Sequence, residues 1–119
     1  MLTYQEIAAF CLSLPGAYAR YPYGPDTAVF AVGDKKSFCL AAERSTPLHI
    51  ILKCDPIETK LLRAAYPAVL PGYHCNKRHW NSVYLDGTIP AGEIRRQIQN
   101  AYLLAGGRKK ETVPLGVIP

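Results

Sequence analysis

Thr27–Val32 and Lys36–Ala42 are two runs of apolar, β-branched and aromatic residues separated by little more than Gly33-Asp34. Glycine tolerates positive φ, so Gly33-Asp34 predicts a tight two-residue hairpin turn. Two strands joined that closely can only pair antiparallel, because a parallel pair needs a long crossover. The feature therefore excludes a doubly wound parallel sheet around this segment and makes an antiparallel hairpin the seed of the fold.

The flanking sequence fits that frame. Residues 43–47 form a polar loop, and residues 48–53 predict a third strand that continues the meander. Its Ile50-Ile51-Leu52 run is apolar on both faces, as expected for a central or helix-covered strand. Residues 80–85 predict a fourth strand, closed by Asp86-Gly87. A first helix starts at the capping box Thr3-Tyr4-Gln5-Glu6, carries Ile7, Phe10, Cys11 and Leu14 at helical spacing, and stops at Pro15-Gly16. A second opens with Asp55 as N-cap, Pro56 at its first position and Glu58 in its first turn. Leu61, Leu62 and Ala65 are its expected buried face, and Tyr66-Pro67 ends it. A third begins near Pro90, buries Ile94, Ile98, Ala101, Tyr102 and Ala105, wets Arg95, Arg96 and Gln99, and ends at Gly106-Gly107. Residues 18–25, with Tyr18, Tyr21 and Tyr23 beside Arg20, read as a loop, and residues 69–78 as a loop or irregular extended segment. The expected fold class is α+β, an antiparallel sheet of about four to five strands with three helices. One domain spans 1–107, followed by a basic, proline-containing tail over 108–119.

With 119 residues, 49% hydrophobic and 19% charged, the chain can bury the core such a domain needs. No window approaches the roughly 18 unbroken apolar residues of a membrane span, and Met1 to Glu6 lacks a signal peptide's basic start and apolar run. The expectation is a soluble cytoplasmic monomer with no membrane partner. Cysteines stand at 11, 39, 54 and 75 without a Cys-x-x-Cys pair, so neither a zinc ribbon nor a thioredoxin-type pair is indicated. Cys11 and Cys39 sit in apolar patterns and read as small buried hydrophobes. The net charge of +5 is uneven: residues 71–119 hold seven basic and three acidic side chains, against seven and six in residues 1–70. A basic half attracts phosphate backbones or acidic surfaces.

The chemistry is densest in Gly72-Tyr73-His74-Cys75-Asn76-Lys77-Arg78-His79-Trp80-Asn81. A metal would use His74, Cys75 and His79, but the two histidines fall on opposite faces of a strand and no fourth ligand is indicated, so no metal is assigned. A Cys75 nucleophile would need His74 or His79 as base, yet adjacent strand side chains point apart. No phosphate loop, Gly-x-Ser-x-Gly or His-Glu-x-x-His occurs, so no catalytic residue or cofactor is assigned. Cations interleaved with aromatics suit nucleic acid better. Lys77 and Arg78 would meet phosphates, Lys35 and Lys36 at the hairpin would act as a wing tip, and His74 and Asn76 would add polar contacts. His79, Trp80 and Asn81 read as residues that hold the loop in shape.

The segments Ile51-Leu52-Lys53-Cys54-Asp55-Pro56, Tyr66-Pro67, Pro71 through Val83, Asp86-Gly87 with Ile89-Pro90, and Gly33 through Phe38 resemble the MmcQ/YjbR family of small bacterial proteins. The run His-x-Asn-Lys-x-His-Trp-Asn is the most specific part. Where the family pattern commonly has Met after the first His, this chain has Cys75, which argues against a catalytic thiol. The resemblance implies a double-wing α+β fold and DNA binding. Some relatives are associated with resistance to a DNA-damaging drug. That implies an alternative, a small-ligand or protein-interaction module that binds, for example, an aromatic compound through the Tyr-rich loop and the groove beside Trp80.

Overall fold

The computed structural model describes residues 2–72 and 75–108. Among them the order is α1 (Tyr4–Ser13), β1 (Tyr18–Arg20), β2 (Thr27–Val32), β3 (Lys36–Ala42), β4 (His49–Lys53), α2 (Pro56–Ala65), β5 (Val69–Pro71), β6 (Trp80–Tyr84) and α3 (Ala91–Leu104). The strands form one six-stranded sheet in the order β1-β2-β3-β4-β6-β5, with every neighbouring pair antiparallel. The class is the expected α+β. The sheet gains β1 in the segment read as a loop and β5 in the one read as a loop or irregular extended segment, because three-residue edge strands are too short to leave an alternating pattern. No helix among the described residues is long and apolar enough to cross a membrane.

The helix starts form as their sequences dictate. Thr3 Oγ1 accepts from Glu6 N at 3.1 Å while Thr3 N donates to Glu6 Oε1 at 3.0 Å, so both halves of the capping box are made. Asp55 Oδ2 accepts from Ile57 N at 3.0 Å and Glu58 N at 3.4 Å. The buried face of α2 differs from expectation: Thr59 and Leu62 turn inward, while Leu61 and Ala65 are exposed. The expected third-helix core residues Ile94, Ile98, Ala101 and Tyr102 are buried, and Ala105 is half-buried.

Strand alternation separates two faces. On β4, Ile50 and Leu52 are buried in the core, while His49, Ile51 and Lys53 point to the other side. The register sets Lys53 opposite Trp80 and His49 opposite Tyr84. Across β2 and β3 the pairing slips between Phe30↔Cys39 and Ala31↔Ser37, leaving Phe38 as the extra residue of a bulge. Phe38 and Cys39 are then both fully buried in the core, and the Phe38 ring meets Tyr102 of α3 edge to face at 5.5 Å. The hairpin turn holds one residue more than predicted. Val32 pairs with Lys36, so Gly33, Asp34 and Lys35 form the loop, with Gly33 and Lys35 at positive φ. Tyr18 explains how a lysine is kept there: its hydroxyl donates to Gly33 O at 2.8 Å and accepts from Lys35 N at 2.9 Å.

Topology collects the lysines of the first hairpin, Lys53 and the Lys77-Arg78 segment at one end of the sheet. The hairpin tip and the start of β3, the end of β4, the start of α2 and the start of β6 all lie there. Tyr21 and Tyr23 follow the other end of β1, so the expected Tyr-rich groove is not continuous with Trp80. Of the three tyrosines, only Tyr18 reaches the hairpin.

Candidate nucleic-acid interface

Two depressions open at this basic end. The first, of about 450 Å³, is lined by Lys35, Lys36, Lys53 and Trp80 together with the last turn of α3. Lys53 Nζ stands 5.3 Å from the centre of the half-buried Trp80 ring, a cross-strand cation–π pair that fixes both side chains on the outer face. The second, of about 490 Å³, lies between α2 and the segment before β6 and is lined in part by Lys60, Arg63, Lys77 and Arg78. The predicted cations are thus divided: the hairpin lysines group with Trp80, while Lys77 and Arg78 group with α2.

The 75–80 segment is held by its backbone. Arg63 reaches from α2 to donate through Nε to Asn81 Oδ1 at 2.9 Å and through Nη2 to Trp80 O at 3.2 Å and to Lys77 O. Thr59 Oγ1 lies 3.3 Å from Arg78 O, Cys54 N donates to His79 O at 2.7 Å, and Gly72 N donates to Trp80 O at 2.9 Å. Of the three residues expected to shape this loop, Asn81 does so with its side chain. It is 1% exposed and accepts from Arg63, and it also lines a small cavity of about 10 Å³ beside Glu58 and Gln97, room for about one water. Trp80 and His79 contribute carbonyl oxygens instead, and the His79 side chain is exposed.

Lys77 and Arg78 are exposed, and no carboxylate pairs with either among the described residues. Lys77 Nζ donates to Gly72 O at 3.0 Å, which leaves its charge uncompensated. Asn76 Oδ1 accepts from Arg78 N at 2.9 Å, so this amide shapes the turn as well as facing solvent. His74 and Tyr73 lie outside the described residues. The acidic side chains of the helices are engaged elsewhere: Arg96, read as a solvated cation, pairs with Glu93 at 2.7 Å and Glu58 at 3.1 Å.

The thiols are poorly suited to nucleophilic work. Burial, with Glu58 and Asp55 nearby, pushes Cys54 up to about 11, and burial raises Cys75 as well, which disfavours the thiolate in both. No group of three metal-ligating side chains converges among the described residues.

Two residues of this surface, Lys53 and Arg63, escaped the sequence reading. Lys53 was legible as outward-facing from its alternation with Leu52, but its pairing with Trp80 depends on a register between strands separated by a helix. Arg63 stands next to buried Leu62 with no acid one turn before or after it, a cation that needs a partner from outside its own helix.

A family model described as YjbR matches residues 12–104. The protein YbdF of Escherichia coli O157:H7 is 39% identical over 93 residues, covering 78% of this chain and 75% of its own. The protein YjbR of Escherichia coli strain K12 is 31% identical over 101 residues, covering 85% of each. The crystal structure of Deinococcus radiodurans protein DR2400 superposes with a TM-score of 0.83 at 34% identity, over 99% of this chain and 83% of that one. A Pseudomonas syringae protein gives 0.76 at 28% identity, over 87% and 99%.

Proposed function

The chain belongs to the YjbR family, and from that premise we propose that it is a non-enzymatic DNA-binding module that reads the phosphate backbone with the basic end of its sheet. The observation that carries this reading is the grouping of Lys35, Lys36 and Lys53 around Trp80 in one open depression. Cations at that spacing neutralise adjacent phosphates, and a half-buried indole offers a stacking face to a splayed base or a DNA end. Lys77 and Arg78, unpaired with carboxylates, extend the basic surface on the far side of the 75–80 segment. Asn76 and His74 are proposed as secondary polar contacts.

The test is a fluorescence titration with a short labelled duplex and a single strand at low and moderate salt. Contact with about three to five phosphates predicts, for the duplex, a slope of log affinity on log salt of roughly −2.7 to −4.5. Lys35→Ala with Lys36→Ala, and separately Lys77→Ala with Arg78→Ala, should each weaken binding about tenfold or more and flatten that slope. Trp80 is the chain's one tryptophan, so its emission reports directly on stacking. Absence of binding at low salt, or binding indifferent to both double variants, overturns the proposal. The same depression supports a second reading, a small anionic aromatic ligand held between the indole and the lysines. Quenching of Trp80 by a free mononucleotide, with no response to duplex or single strand, would favour it.

A further inference from the structure

The second depression has a composition that a nucleic acid does not explain. α2 exposes Ile57 at 72% and Leu61 at 62%, one turn apart on the same side of the helix. Lys60, Arg63, Lys77 and Arg78 line the same depression, and among the described residues no carboxylate does. The single acid of α2, Glu58, is directed instead to Arg96 on α3. A DNA backbone would satisfy the cations and leave both aliphatic side chains in a wet interface. A bilayer would cover the aliphatics, but it presents a flat surface where this one is concave.

We propose that this groove docks an acidic amphipathic helix from a partner protein, laid along α2 with its aliphatic stripe on Ile57 and Leu61 and its carboxylates facing Lys60, Lys77 and Arg78. The i, i+4 spacing of the apolar pair matches a helix with aliphatics at i, i+3 or i+4, and i+7, laid along the concave surface. Carboxylates on its flanks supply the charge complementarity that sets encounter rate and orientation. The chain's own helices do not fit: α1 has one acid, Glu6, used in its cap, and α3 has one, Glu93, held by Arg96. A net charge of +5 further opposes self-association through a basic face. The inference goes beyond DNA binding and shares Lys77 and Arg78 with it, so helix and duplex should compete.

The probe is a labelled synthetic helix, glutamate-rich with leucines on one face, compared with a peptide of the same composition whose leucines are scattered round the helix. Parallel arms use a DNA duplex and vesicles of phosphatidylserine and phosphatidylcholine. The patterned peptide should bind about tenfold or more tighter than the scattered one and be displaced by salt. Ile57→Asn with Leu61→Asn, both at exposed positions, should weaken it about tenfold or more and leave duplex binding unchanged. Lys60→Glu should weaken it also. No binding, equal binding of the two peptides, or binding unaffected by the double variant overturns the inference. Tighter binding to the vesicles, lost in the same variant, overturns it in favour of a membrane contact. Peptide binding retained in a protein that ignores duplex and single strand would overturn the DNA reading and leave this one standing.

Discussion

The two depressions at the basic end share a sign of charge and differ in what lies between the charges. Beside the hairpin, lysines from two strands and a turn surround an indole, with Lys53 Nζ 5.3 Å from its ring centre. Beside α2, cations from a helix and a loop surround two aliphatic side chains. An aromatic among cations suits a ligand with π faces and phosphates; aliphatics among cations suit a ligand with alkyl groups and carboxylates. The comparison teaches that net charge locates an anion-facing surface but does not name the anion. The apolar residues between the charges do that, and here they divide one basic surface into two.

Arg63 ties α2 to the segment that carries Lys77, Arg78 and Trp80, residues of both depressions, so its removal is the most damaging change. Arg63→Ala loses bonds to Lys77 O, Trp80 O and Asn81 Oδ1, and it leaves the buried Asn81 Oδ1 without its donor. The expected cost is about 2–4 kcal/mol, read by urea unfolding. Duplex and peptide binding should weaken together, because both surfaces rest on the same clamp. Unfolding unchanged from the parent would show that the 75–80 segment is held by its other backbone bonds.

A subtler change should separate the two surfaces. A Cβ on Gly72 would lie 2.8 Å from Trp80 Cβ and 2.9 Å from Trp80 O, so Gly72→Ala must push the Trp80 backbone away. The expected cost is about 1–3 kcal/mol. Trp80 emission should shift and duplex affinity fall, while the patterned peptide, which does not touch Trp80, binds as before. Shifted emission together with unaltered duplex affinity would separate the Trp80 groove from DNA recognition.

The parts of this molecule legible in its sequence are those set by local chemistry. The Thr3 and Asp55 caps, the bounds of β2 and β3, and the apolar stripe of α3 all follow from neighbours within a turn or two. What was not legible depends on distant partners. Lys35 holds positive φ because Tyr18, seventeen residues earlier, brackets the turn. Tyr18 to Arg20 becomes a strand because β2 offers an edge to pair with. Leu61 looked like core because its spacing to Leu62 and Ala65 is helical. The core instead takes Thr59, whose hydroxyl can reach the carbonyls of Asp55, Pro56 and Arg78. The candidate site was legible as a list of cations and illegible as a grouping, since Lys53 and Trp80 meet only through the β4–β6 register.

The smallest expected effect concerns what keeps acid out of the α2 groove. Arg96 holds the Glu93 carboxyl below its ordinary value of 4.5, chiefly through their hydrogen bond, and the same guanidinium draws Glu58 toward α3. A carboxyl lowered in the folded state adds stability that is present above about pH 4.5 and is lost as pH falls through the depressed value. Glu93→Gln should therefore lower the melting temperature slightly at pH 7 and shrink, without abolishing, the drop on acidification. Glu6 and Asp86, lowered by bonds from Thr3 and Thr88, still contribute to that drop. The Arg96 side chain is 49% exposed, so the neutral-pH effect should not exceed about 1 kcal/mol. Released from Glu93, Arg96 keeps Glu58, and peptide binding at the α2 groove should be unchanged. An equal acid-to-neutral difference in parent and variant would remove Glu93 from the acid limb. Weakened peptide binding in the same variant would mean that Glu58 had turned back toward the groove, and the contrast between the two depressions would then depend on one ion pair rather than on the lie of α2.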